Sequence, residues 1–243
     1  MKIHFIQHES FETAGVYLTW AKNKKHTISF SRIYKNDPVP LNAENIDLLI
    51  VLGGPQSPNS TKEEFPYFDA GMEISLIRKC IEANIWVIGV CLGAQLIGEA
   101  LGAKFEQSPE KEIGIFPIQL TNDGLKDSMI SHFGESLLVG HWHNDMPGLI
   151  PSSRVLATSI GCPRQIIKYH KKVYGFQCHM EFTSEAIEFL INKEENFLNT
   201  QNTYKWIQKP EKMRKFDFTE MNEKLFVFLD KIEEEYLKNY SPK

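Results

Sequence analysis

IWVIGVCLGAQLIGEALG, residues Ile85 to Gly102, decides the fold. Ile85 to Ile88 is an apolar run suited to a buried strand, and it breaks at Gly89-Val90-Cys91-Leu92-Gly93. The chain then resumes as an Ala- and Leu-rich segment compatible with a helix, so the reading is strand, tight turn, helix. Small residues on both sides of Cys91 permit the sharp turn that lifts a nucleophile clear of a sheet. The positive end of the following helix dipole favours thiolate over thiol. Cys91 therefore reads as a nucleophile. A buried core cysteine is the competing reading, because G-x-C-x-G is short and free cysteine is commonly buried.

Upstream, Ile46 to Leu52 is a continuous apolar run of the kind expected for a strand covered on both faces, and it ends in Gly53-Gly54-Pro55. A Gly-Gly pair at the carboxyl end of a parallel strand lets a ligand approach the backbone, and open α/β sheets bind ligands at such ends. Residues 67–83 have helical spacing. A right-handed strand-helix-strand crossover then brings Gly53-Gly54 and Cys91 to one sheet edge. Amides from that Gly-Gly turn and from Leu92 would converge there as an oxyanion hole. Lys2 to Gln7, residues 12–22 and Thr27 to Ile33 supply an opening β-α-β unit.

Beyond Gly102, Lys104-Phe105, Ile113 to Leu120, Ser136 to Gly140, Arg154 to Thr158 and Gln165 to Tyr169 read as short strands of a smaller, partly antiparallel section. His141-Trp142-His143-Asn144-Asp145 is expected to be a strand-end loop forming a substrate wall. In Val173 to Glu181, alternation places His179 and Glu181 on one face and turns Cys178 and Met180 to the core. A base and its orienting carboxylate thus come paired. A helix over residues 183–197 is expected to be capped by Thr183 or Ser184. A polar connection follows over 199–210, then an amphipathic helix over 218–240 that packs on its own domain.

The 243 residues hold 42% hydrophobic and 24% charged residues, with 16 Phe and 8 Tyr to build a core in one α/β domain. A net charge of −4 without a long basic block argues against nucleic acid as a partner. No apolar stretch is long enough for a membrane span, and the first residues run directly into a strand, so the expected location is cytoplasmic. The four cysteines, Cys80, Cys91, Cys162 and Cys178, form no C-x-x-C pair, and the eight histidines form no H-E-x-x-H motif. Neither a metal nor a cofactor is indicated.

Thiolate, imidazole, carboxylate and two backbone donors together specify acyl transfer through a covalent thioester. The order Cys91, His179, Glu181 differs from the α/β-hydrolase order, in which the acid precedes the histidine. VLGGP at 51–55, GVCLGAQ at 89–95 and YGFQCHMEFT at 174–183 occur in an order that resembles class I (triad) glutamine amidotransferases, and HWHND at 141–145 resembles their substrate loop. The likeness spans roughly residues 46–190 and is nearest to stand-alone forms similar to the amidotransferase domain of GMP synthase.

The resemblance implies a flavodoxin-like, mostly parallel sheet flanked by helices, in a single unit over 1–243 with a core of about 1–198 and a helical extension over about 199–243. It implies that Cys91 attacks the glutamine side-chain amide, that His179 protonates the leaving ammonia, and that Glu181 orients His179. It further implies an oxyanion hole at Gly54 and Leu92, and substrate contacts from Gly53, Gln95, Trp142, His143, Asn144 and Asp145. Two departures stand out. Met180 replaces the proline that stiffens the family's turn into the acid, and Asn144 stands where many relatives have a glycine, whose left-handed angles asparagine tolerates.

The substrate class is glutamine or another γ-glutamyl compound, and an acceptor synthetase would be a separate protein. A γ-glutamyl peptidase acting on glutathione-like isopeptides shares the same acyl half, so these motifs do not separate the two. A silent binding or regulatory subunit would not need Cys91, His179 and Glu181. Intracellular-protease relatives take their carboxylate from an upstream strand.

Overall fold

In the computed structural model, residues 1–200 and 203–240 are described. Residues 201–202 of the expected polar connection and 241–243 at the end of the expected unit lie outside the described residues. The chain runs β1 (Lys2–Gln7), α1 (Gly15–Asn23), β2 (Thr27–Arg32), β3 (Leu48–Val51), α2 (Ala70–Glu82), β4 (Trp86–Val90) and α3 (Leu92–Ala100). It continues with β5 (Glu106–Leu120), α4 (Asn122–Lys126), β6 (Ser136–Met146), β7 (Arg154–Thr158), β8 (Ile166–His170) and β9 (Val173–Phe176). Last come α5 (Ser184–Thr200), β10 (Trp206–Ile207), α6 (Pro210–Met213) and α7 (Thr219–Tyr240).

One sheet carries all ten strands of the described residues. Its parallel half is ordered β2-β1-β3-β4-β9. The sheet then turns antiparallel through β8, β7, β5 and β6, while β10 lies parallel to β5 on its far edge. This is the expected mostly parallel α/β sheet with an antiparallel section. That section is larger than the sequence suggested, because β5 and β6 pair from 106–119 to 136–146 with one register shift.

Period-2 alternation between two covered faces explains why the central parallel strands β3 and β4 are apolar throughout. Leu48, Ile50, Trp86, Ile88 and Val90 face a core closed by α1, α5 and α7. Leu49, Val51 and Val87 face a second core closed by α2 and α3. β3 and β4 therefore have both faces covered, whereas the edge strand β2 is partly exposed. The carboxyl ends of β3, β4 and β9 open together at one edge, where Gly53, Cys91 and the segment leading to His179 follow.

Three local expectations change, the first being that Lys104-Phe105 form no strand and β5 begins at Glu106. His141 to Asp145 form no loop; they are the last turn-free stretch of β6, paired with β5 through His141 to Gly114, Trp142 to Ile113, His143 to Glu112 and Asp145 to Gln107. The polar residues hid the strand because the pairing partner, not hydrophobicity, holds it extended. For the same reason Asn144 needs no left-handed backbone and is not among the residues with positive φ. The extended reading of 173–181 holds only to Phe176. His179 then makes an isolated antiparallel bridge to Gly140.

Candidate active site

Cys91 sits at the junction of β4 and α3 with φ 49° and ψ −108°. A positive φ is uncommon outside glycine and marks a held, strained turn. Gly89 and Gly93, two residues to either side, allow the turn because they carry no side chain. A Cβ on Gly93 would lie 2.0 Å from the Val51 carbonyl oxygen, and one on Gly89 would lie 2.3 Å from that of Gly93. The Cys91 amide donates to the Phe176 carbonyl at 2.7 Å, fixing the elbow to β9.

His179 Nδ1 lies 2.6 Å from Glu181 Oε1, and both residues are buried. Nε2 has no hydrogen-bond partner of good geometry among the described residues, but the Cys91 sulfur bears on it electrostatically. Burial alone would lower the imidazole pKa. The charge and hydrogen bond of Glu181, together with Cys91, outweigh burial and hold it well above its ordinary value. Phe182 stacks on the His179 ring, with centroids 4.3 Å apart and planes at 11°. Gly140 makes room for it, since a Cβ there would meet that ring at 2.4 Å.

The turn between His179 and Glu181 lacks the stiffening proline, and α7 holds it instead. Asn222 Nδ2 donates to the carbonyls of Met180 (2.9 Å) and Phe182 (3.1 Å), which flank Glu181. The Glu181 carbonyl accepts from the Val16 amide of α1 at 3.1 Å. Cys178 is fully buried in the core, although the chain is no longer extended there, and burial raises its thiol pKa well above the ordinary value.

The Gly53-Gly54 turn lies against the elbow. A Cβ on Gly53 would be 3.4 Å from both Cys91 Cβ and His179 Cε1, and one on Gly54 would be 3.1 Å from Leu92 Cδ2. A buried pair unread in the sequence orients this turn. His8 Nδ1 is 2.9 Å from the Gly53 carbonyl and Nε2 is 2.8 Å from Glu73 Oε2. Burial opposes the charge on His8, but Glu73 and the Gly53 carbonyl raise its pKa overall, and both ring nitrogens face acceptors. Because the peptide is planar and trans, pinning the Gly53 carbonyl toward His8 turns the Gly54 amide the opposite way.

Gln95 Nε2 donates to Gln177 Oε1 at 3.2 Å, and Gln177 Nε2 donates to Cys91 Sγ at 3.3 Å. Gln177 was not singled out in the sequence. The Trp142 carbonyl is 3.9 Å from Cys91 Sγ, and its indole donates to Glu194 Oε1 at 3.4 Å, at the residue where α5 loses helical angles. The side chain of His143 is turned away to Glu112, 3.3 Å distant. Asn144 is exposed and its amide reaches Asp145 at 3.5 Å.

These groups border a cavity of about 590 Å³ whose lining includes Cys91, Gln95, Gly54, Trp142, Asp145 and Glu12. Glu12, also unread in the sequence, is half-buried, and burial raises its carboxyl pKa to about 7 against the lowering charges of His179 and His8.

An α/β sheet with a cysteine on a nucleophile elbow and a His-Glu pair beside it defines a class of acyl-transfer domains. Residues 6–194 match the glutamine amidotransferase class-I family, and the chain belongs to that family. It is 55% identical over 232 residues to the glutamine amidotransferase-like protein YfeJ of Salmonella typhimurium, covering 96% of this chain and 97% of that one. The crystal structure of SMU.1228c superposes with a TM-score of 0.94 at 49% identity, over 96% of this chain and 100% of the other. GMP synthase (glutamine-hydrolyzing) of Klebsiella pneumoniae is 33% identical over 142 residues, which is 56% of this chain and 25% of that protein. Among the described residues no helix is long and apolar enough to cross a membrane.

Proposed function

We propose that the chain hydrolyses the side-chain amide of glutamine through a γ-glutamyl thioester on Cys91 and releases ammonia for a separate acceptor enzyme. The observation that carries this reading is the 2.6 Å pair of His179 and Glu181 beside a cysteine held at positive φ. The Cys91 thiolate attacks the amide carbon, forming a C–S bond and an oxyanion that takes hydrogen bonds from the Gly54 and Leu92 amides. Collapse breaks the C–N bond, and the leaving nitrogen takes the proton held at His179 Nε2. Water then gives a proton to His179 Nε2 as its oxygen attacks the thioester carbon. Collapse breaks the C–S bond, glutamate leaves, and the thiolate and imidazolium are restored. Glu181 holds the imidazolium in one orientation throughout. Gln95 and the backbone at Trp142 to Asp145 are assigned to the amino-acid end of the substrate, with Gly53 as the flat wall beside the sulfur.

The cavity supports a second reading. Its volume falls in the range that encloses drug-sized ligands, and it exceeds what a single amino acid fills, which fits a γ-glutamyl peptide with a bulky leaving amine. Release of ammonia from glutamine, set beside amine release from γ-glutamyl peptides as kcat/KM, separates the two. Turnover of neither substrate, together with no thioester trapped on Cys91, overturns both.

A further inference from the structure

Glu112 on β5 pairs directly with His143 on β6, and His141, two residues earlier on the same strand, points to the same side. Gln165, just before β8, closes the space from across the sheet. These four side chains are at most 5% exposed. Glu112 Oε2, His141 Nδ1 and His143 Nε2 form a triangle with sides of 3.3, 3.4 and 3.5 Å. The Gln165 amide caps it, its Nε2 lying 2.8 Å from Glu112 Oε2, 3.1 Å from His143 Nε2 and 3.2 Å from His141 Nδ1. Amide nitrogen and oxygen are interchangeable by a half-turn, so the same corner accommodates Oε1. A tetrahedron of these edges has its centre about 2 Å from every corner, which is the length of a zinc bond to nitrogen or oxygen.

Proton supply at this cluster is short. His141 Nε2 faces the Phe116 carbonyl at 3.2 Å and so carries that ring's proton, leaving Nδ1 as a bare lone pair aimed at the centre. The two amide hydrogens of Gln165 face three acceptors, Glu112 Oε2, the bare His141 Nδ1 and Ser159 Oγ at 2.9 Å. Gln165 Oε1 and His143 Nδ1 have no partner among the described residues. Inverting the amide and moving the His143 proton from Nε2 to Nδ1 would present four lone pairs to one point.

We propose that Glu112, His141, His143 and Gln165 form a closed tetrahedral site for a divalent transition-metal ion of the zinc class. Two imidazoles with a carboxylate and an amide oxygen suit zinc or cobalt, whereas magnesium and calcium take six or more oxygens. Supporting contacts hold two of the ligands: Glu112 Oε1 accepts from the Gly161 amide at 3.2 Å and Oε2 from Ser159 at 2.7 Å, and His141 Nε2 donates to the Phe116 carbonyl. With four protein ligands the site has no open position, so the ion is structural. Its consequence for the cysteine is indirect. Trp142 lies between the two histidines, and its carbonyl faces Cys91 Sγ at 3.9 Å, so the ion would fix the strand that carries this part of the wall. His-x-His on a strand with a distant Glu escapes motif searches built on helical or C-x-x-C spacing.

The experiment is metal analysis of the full chain, prepared without a polyhistidine tag and refolded with Zn²⁺ or Co²⁺. Wild type and Cys91→Ala should each hold about one ion per chain, show the intense visible absorption of tetrahedral Co²⁺, and lose Tm on chelation. Glu112→Gln and His141→Gln, checked for native circular dichroism, should lose the ion and the spectrum. Wild type that takes up neither ion overturns the proposal. So does an ion that disappears in Cys91→Ala and persists in His141→Gln, because it would then belong to the nucleophile.

Discussion

Glu12 places Oε2 2.6 Å from where a Cβ on Gly53 would stand, so this carboxyl and the Gly-Gly turn share one wall of the cavity. Burial is the main reason its pKa rises to about 7 from 4.5. The folded chain therefore keeps a proton that the unfolded chain has already released between those values. The stability due to the neutral carboxyl is full below pH 4.5 and is lost as pH rises through 7. Glu12→Gln should consequently gain stability relative to wild type between pH 4.5 and 7, with no further change above. Denaturant midpoints over that range check it, and a pH-independent difference would refute it. At the proposed nucleophile, Cys91→Ala should abolish turnover with native stability retained. Glu181→Ala should lower kcat by about 10²–10⁴-fold without abolishing it, because the oxyanion donors and the thiol remain. Steady-state rates test both, and equal activity of wild type and Cys91→Ala would refute the proposed mechanism.

Helix α7 reaches the His179–Glu181 turn through Asn222, whose amide binds the two carbonyls on either side of Glu181. That contact does what a proline would do elsewhere, by holding the backbone rather than limiting φ. Asn222→Ala should cost about 1–3 kcal/mol, from two carbonyls left without a donor. It should lower kcat more than it raises KM, and Asn222→Asp, which cannot donate to both carbonyls, should not rescue it. Stability curves beside kcat and KM separate this from a purely structural role, in which kcat would stay at the wild-type value. The same element shows what was readable in the sequence and what was not. The elbow, the Gly-Gly turn and the β-α-β opening are local, each written in consecutive residues with a clear period, and all were legible. Thr183 caps α5 as its position suggested, accepting from the Ala186 amide at 3.1 Å. Residues 141–145 were misread because a polar strand looks like a loop until its partner β5 is known. His8 with Glu73, Gln177, Glu112 with Gln165, and Asn222 act across long sequence separations, and no spacing rule announces them.

At the scale of the whole molecule, α7 is part of the core and not an appendage to it. Met221, Leu225, Phe228, Leu229 and Ile232 are at most 1% exposed and lie in the same apolar cluster as β1, β3, β4 and α1. Phe228 sits edge-on to both Tyr174 (5.3 Å) and Phe176 (5.4 Å) of β9, the strand whose end leads into His179. Trp20 of α1 and Lys24 each reach Asp230 at 2.8 Å on the outer side. A domain of this kind is stable by only about 5–15 kcal/mol, and emptying a buried phenylalanine site costs about 3–5 kcal/mol. Phe228→Ala should therefore lower unfolding stability by that amount while leaving a cooperative transition. Ending the chain at Asp217 removes all five anchors at once and leaves the apolar face of the parallel strands uncovered. That truncated chain should show no cooperative unfolding and should bind hydrophobic dyes at neutral pH. A truncated chain that melts cooperatively near the wild-type Tm would show instead that the strands and α1 close this core without α7.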